Sequence, residues 1–239
     1  MKIGNLICFH GTKNSSGIKD TRKLFYFLKK KNKSYVTKIG YLEISKPSIE
    51  HQLDFFFKNK FDKIFLTPAM IFSGNHVTKD IPQIVKKLKK KYFYKNKLII
   101  NYPLIKSKNF INLLKNNLKI NFNFLNKKNN GLILVASNTV SPKAKSQLQN
   151  LLKILSTKNT FSYKKYFLVS LNTSNFKKEL LKLSTSDKKF LVFPIFLFRG
   201  RLLNGVNSVI RELNLNHKHK KFKLCSYTNN YKKLANIMF

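Results

Sequence analysis

The chain has 239 residues, 43% of them hydrophobic and 24% charged, with a formal charge of +39. That is enough chain for one domain or two small ones around a sizeable core, and the balance excludes a disordered polymer. The longest apolar run, Phe190 to Phe198, has nine residues, against the roughly 20 that a membrane-spanning helix needs. From the N-terminus, Lys2–Phe9 is a short apolar run of the kind a buried parallel strand shows. Ile18–Lys31 carries Leu24, Phe25 and Leu28 at helical spacing, and Tyr35–Leu42 is the next strand. Pro47-Ser48 opens a helix with Ile49, Leu53, Phe56 and Phe57 on its inner side, followed by a third strand over Lys63–Met70. Asp80 reads as a helix N-cap, with Pro82 tolerated in the first turn. Ile81, Ile84, Val85 and Leu88 then form an apolar stripe. Leu98–Tyr102 is a fourth strand and Phe110–Leu118 a last helix. Such alternation predicts an α/β fold with a parallel sheet of about four strands flanked by helices.

The whole scheme then repeats. Shifted by 126 residues, the two halves align without a gap. Leu6-Ile7 falls on Leu132-Ile133, Leu42 on Leu168, Pro68 on Pro194, Phe72 on Phe198, Gly74 on Gly200, Ile84 on Ile210, and Lys97-Leu98 on Lys223-Leu224. Two similar halves are expected, 1–125 and 126–239, joined near the polar stretch Asn126 to Asn130.

The charge calls for care. Lysine and arginine total 48 against 9 acids, which by itself suggests a nucleic-acid binder. Only Arg22, Arg199, Arg201 and Arg211 are arginine, however, and arginine is the better fork for phosphates. The lysines run through the whole chain beside an excess of Asn, Ile and Phe, as compositional drift produces. No nucleic-acid partner is expected, although any polyanionic ligand would be drawn in. Cys8 and Cys225 cannot build a disulfide framework. No secretory leader is read at the N-terminus and no membrane partner is expected, so the expected setting is a reduced cytoplasm.

Ligands of an open parallel sheet bind beyond the carboxyl ends of its strands. His10 follows the first strand, Glu43 ends the second, and His76 lies in the loop after the third. Each alone would be an ordinary polar loop residue. Together they place two imidazoles and a carboxylate on one sheet edge, a donor set suited to a divalent transition metal with positions left open. The repeat supplies a control: their counterparts are Ala136, Val169 and Leu202, while the scaffold residues Pro68 and Gly74 keep theirs. One working site, in the first half, is expected. His51 reads as an exposed helix residue and His217-Lys218-His219 as a solvated basic loop. There is no P-loop, Gly-x-Gly-x-x-Gly or Gly-x-Ser-x-Gly, so no nucleotide is expected.

At these same residues the chain resembles the sirohydrochlorin chelatases, the class II tetrapyrrole chelatases. His10-Gly11-Thr12 resembles the family's His-Gly-Ser after strand one, with Thr12 in place of the serine. Gly40 to Ile49 resembles the segment that carries its strand-end glutamate, and Pro68 to Pro82 resembles its Gly-x-His-Val-x-x-Asp-Ile-Pro pattern, with Asn75 in place of a glycine. The motif-bearing part covers about 1–120, and the second half is similar to the degenerate repeat of longer members. The resemblance implies ATP-independent insertion of a divalent metal into sirohydrochlorin, for cobalamin or siroheme biosynthesis. Cobalt is the first choice, with iron or nickel as alternatives. His10 and His76 would hold the metal, and Glu43 would assist as a third donor and accept pyrrole protons. A ferrochelatase, or a non-catalytic binder of metal or tetrapyrrole, is the alternative. With both halves in one chain, a monomer with pseudo-dimeric halves is expected.

Overall fold

The computed structural model describes residues 1–31, 33–93, 95, 97–125, 129–157, 161–215 and 221–238. The first half runs β1 (Ile3–Phe9), α1 (Ser15–Lys31), β2 (Val36–Tyr41), α2 (Ile49–Lys58), β3 (Lys63–Pro68), α3 (Ile81–Tyr92), β4 (Lys97–Ile100) and α4 (Lys108–Lys119). The second repeats it as β5 (Asn130–Ser137), α5 (Pro142–Ser156), β6 (Tyr163–Val169), α6 (Ser174–Ser184), β7 (Lys189–Pro194), α7 (Arg201–Leu215), β8 (Phe222–Leu224) and α8 (Tyr231–Ile237). Among the described residues, no helix is long and apolar enough to cross a membrane.

Two four-stranded sheets result, ordered β2-β1-β3-β4 and β6-β5-β7-β8, with every pairing parallel. This is the α/β architecture of two similar halves that the alternation predicts. With that order, handedness places the helices. Right-handed crossovers that step one way from β1 to β2 and the other way from β2 to β3 put α1 on one face and α2 and α3 on the other. On the α2/α3 face, Leu6, Cys8, Ile64 and Leu66 meet Ile49, Leu53, Phe56, Ile81 and Leu88 in one buried cluster. Burial on that scale stabilises by about 1.5–3 kcal/mol for each large side chain.

Local signals place the element ends. Helix α1 starts at Ser15, ahead of the expected Ile18, because Asn14 Oδ1 accepts from Gly17 N at 3.0 Å and so caps it. Ser48 caps α2 by accepting from His51 N at 3.1 Å. Gly40 packs against α2 so closely that a Cβ there would lie 2.9 Å from Ile49 Cα.

The gapless repeat fails at the last strand. Ile64 pairs with Leu98, but Phe190 pairs with Phe222, not with Leu224. The equivalent of Leu98 is therefore two residues before the one that a constant shift assigns. Phe222 is the residue that reaches the core there, 1% exposed and stacked on Phe190 at 5.2 Å. Compactness also cuts across the repeats 1–125 and 126–239. One compact unit comprises Met1–Phe110 with Asn230–Phe239, and the other Ile111–Asn229. Helix α8 thus completes the unit built on β1 to β4, where it packs on α1. The expected linker residues 126–128 lie outside the described residues.

Candidate metal centre

His10 stands one residue beyond the end of β1. The β1–β2 ladder continues past the strands in irregular form, with Leu42 N donating to Phe9 O at 2.9 Å and Glu43 N to His10 O at 3.0 Å. Those two bonds set His10 beside Glu43. The next residue must be glycine: Gly11 has φ +105°, and a Cβ on it would lie 1.9 Å from Glu43 O. Thr12 and Ser45 tie the two loops together reciprocally. Thr12 N donates to Ser45 Oγ, and Ser45 Oγ donates to Thr12 O, both at 3.1 Å. On the glutamate side, Ile44 takes φ +63° and Ser45 N donates back to Glu43 O at 2.5 Å, a turn that reverses the chain at the site. Among the described residues of the second half, no such loop forms. There β5 runs on through Ala136 and Ser137, paired with Leu168 and Val169, where β1 stops at Phe9.

His76 comes from the loop after β3. Leu104 N and Ile105 N pin its start by donating to Met70 O and Ile71 O at 3.0 and 2.9 Å. His76–Asp80 then forms one turn of π-helix that leads into α3. Such turns are rare and recur at functional sites. The second half has regular α-helix here, α7 beginning at Arg201. The expected N-cap role of Asp80 does not hold. Its backbone is already helical (φ −66°, ψ −51°) and its side chain makes no capping bond. Because the π turn continues straight into the helix, no capping geometry arises at Asp80. Its carboxylate turns instead to His76, whose Nδ1 donates to Asp80 Oδ2 at 2.6 Å.

The three expected residues meet. His10 Nε2 lies 3.9 Å from Glu43 Oε2, and the two imidazole rings approach edge to face at 4.7 Å between centroids. One donor atom from each of His10, Glu43 and His76 falls within 4.8 Å of the others. His10 Nδ1 faces Gly11 O at 3.3 Å. That contact leaves Nε2 as the ring nitrogen on the Glu43 side. The side chains of His10 and Glu43 are about half exposed, 51% and 53%, and that of His76 is 31% exposed. An ion held here keeps coordination positions for a second ligand. An open groove of about 350 Å³ adjoins the site, lined by Leu42, Glu43, His76, Asp80, Gln83, Ile84 and Lys87. Lys87 is paired with Glu50 at 2.8 Å. Asp80, Gln83 and Lys87 join the groove although the sequence reads Asp80 only as a cap. The available signal was their spacing of four, seven and eleven residues from His76, all on one helical face.

The remaining candidates fall elsewhere. His51 is exposed on α2. Cys8 and Cys225 are buried. Burial pushes the Cys8 thiol far above its usual range and the Cys225 thiol up to about 12, so both stay protonated and inert. His217 and His219 lie outside the described residues.

A doubled α/β chain that gathers two imidazoles and a carboxylate at one strand edge has a donor set that could hold a divalent cation in an open setting. The CbiX family model matches it twice, at residues 4–120 and 131–239, and the chain belongs to the CbiX family. Among curated relatives it is 22% identical to the sirohydrochlorin ferrochelatase of Priestia megaterium over 231 residues, covering 96% of this chain and 85% of the relative. It is 21% identical to the sirohydrochlorin cobaltochelatase of the same organism over 208 residues, covering 86% and 68%. Among solved structures, the sirohydrochlorin chelatase SirB from Bacillus subtilis subspecies spizizenii, in complex with cobalt, superposes with a TM-score of 0.78 at 18% identity. The overlap covers 100% of this chain and 94% of that one. SirB from Bacillus subtilis with Fe3+ gives a TM-score of 0.80 at 18% identity, covering 99% and 93%.

Proposed function

We propose that this chain is a sirohydrochlorin chelatase, inserting a divalent metal into sirohydrochlorin without ATP. The observation that carries the reading is the donor triad of His10, Glu43 and His76, whose ligand atoms lie within 4.8 Å on a half-exposed rim. Membership of the CbiX family and relatives named for this activity support it. The residue types suit the chemistry. The incoming ion must be held, partly dehydrated and released, which favours a few borderline donors over a closed cage. The macrocycle must lose two N–H protons, so a basic group must stand beside it. Glu43 fills that role, with its carboxylate 3.9 Å from His10 Nε2. The octacarboxylate substrate is drawn toward a chain of charge +39. The half 1–125 is the working one. The half 126–239 carries Ala136, Val169 and Leu202 at the three positions and serves as its structural partner. The protein acts as a monomer.

Cobalt is the proposed metal, with cobalamin biosynthesis as the destination. Iron, serving siroheme biosynthesis, is the second reading. It is favoured by the ferrochelatase relative, which matches 96% of the chain. Purified protein incubated with sirohydrochlorin and cobalt, iron or nickel in turn reports both activity and preference through the absorbance of the macrocycle. His10→Ala and His76→Ala should each lower insertion at least about 100-fold with the fold intact, since each removes a donor. Normal insertion rates in both variants would refute the assignment.

A further inference from the structure

His76 has a partner that the reading above leaves without a task. Resting on that reading's use of His76 as a metal donor, we propose that Asp80 is a positioning residue that fixes the ring tautomer of His76 and commits its Nε2 to the cation. A neutral imidazole has one lone pair for a metal, on whichever nitrogen lacks the hydrogen. Asp80 Oδ2 lies 2.6 Å from His76 Nδ1. A carboxylate only accepts, so Nδ1 carries the hydrogen and Nε2 carries the lone pair. The negative charge behind the ring also raises its strength as a donor.

Three features of the local structure converge on this role. Asp80 sits where a capping residue would, yet makes no capping bond, and its carboxylate is spent on the histidine. The residue four positions after His76 stays on the ring's side of the turn, so the pair is built into the His76–Asp80 segment itself. In the second half the corresponding pair is Leu202 and Val206, so the acid is missing where the histidine is missing. His10 has no carboxylate on its Nδ1, which faces Gly11 O at 3.3 Å.

The test uses the full chain without metal, labelled with 15N-histidine. A two-bond proton–nitrogen correlation spectrum should show neutral His76 with its hydrogen on Nδ1, and Asp80→Ala should lose that preference while the His10 signals stay as in the parent. Cobalt alone, titrated by visible absorption, should bind about 10–100-fold more weakly to Asp80→Asn and Asp80→Ala, as for other acids that back a ligating histidine. Asp80→Glu should recover part of the loss. Asp54→Asn, which removes a carboxylate on α2 that pairs away from the site, should bind cobalt like the parent. The proposal is overturned by an Nε2–H tautomer in the parent chain, by cobalt affinity within twofold of the parent in Asp80→Ala, or by an equal loss in Asp54→Asn. A parent chain that shows the tautomer and the cobalt affinities but inserts no metal would support this role while refuting the chelatase reading.

Discussion

Replacing Gly11 by alanine is the most direct way to ask whether loop geometry makes the metal centre. An L-residue at φ +105° is strained by about 1–2 kcal/mol. The new Cβ would also sit 1.9 Å from Glu43 O, where ordinary contact begins at 3.4 Å, so the two loops must part by about 1.5 Å more. That movement stretches the 3.0 Å bond from Glu43 N to His10 O and the reciprocal 3.1 Å bonds between Thr12 and Ser45. Each such bond is worth about 1 kcal/mol net. The total loss should reach about 3–5 kcal/mol, inside the 5–15 kcal/mol typical of a domain, so the chain stays largely folded at room temperature. The site does not survive. Two donors on one ion stand at most about 4.2 Å apart, twice a metal–nitrogen bond of about 2.1 Å, so the three donor atoms, now within 4.8 Å, have only a few tenths of an ångström to close by side-chain movement. His10 Nε2 and Glu43 Oε2 are 3.9 Å apart now and would pass that limit. Denaturant unfolding reads the first effect, and calorimetric titration with cobalt reads the second. A Gly11→Ala protein within 0.5 kcal/mol of the parent and with parental cobalt affinity would refute the idea that this glycine holds the two donors in register.

Two further outcomes are expected. Tyr92 Oη, Lys58 and Lys91 surround Asp54 at 2.5, 2.9 and 3.1 Å and hold its carboxyl far below the usual carboxylate range. A depressed folded-state pKa stabilises above the unfolded value near 4, and the benefit fades as pH falls through the folded one. Asp54→Asn should therefore cost about 1–2 kcal/mol at pH 7, and its deficit against the parent should shrink steadily below about pH 4 in thermal unfolding. A deficit independent of pH would contradict that account. The double variant His217→Ala/His219→Ala should insert metal at the parental rate in the sirohydrochlorin assay, and a large loss would move the site to the second half.

Much of this molecule is legible along the chain because the relevant physics is local. Runs such as Lys2–Phe9 and Lys63–Met70 read as buried strands, and the stripe of Ile81, Ile84, Val85 and Leu88 reads as one face of a helix. Alternation of the two then dictates parallel sheets with right-handed crossovers, and the strand ends say where His10, Glu43 and His76 must gather. Other features depend on partners far away in sequence. The register of β8 is settled by which aromatic fits against Phe190, so Phe222 takes the place that a constant repeat gives to Leu224. Helix α8 joins the unit of β1 to β4 because its packing partner is α1, more than 200 residues upstream. Asp80 reads locally as a cap, since capping is what an acid before an Ile-Pro helix start ordinarily does. Its duty changes once the backbone takes a π turn anchored through Met70 and Ile71, and a hydrogen-bond pattern of that kind is chosen by the surrounding fold, not by the five residues that adopt it.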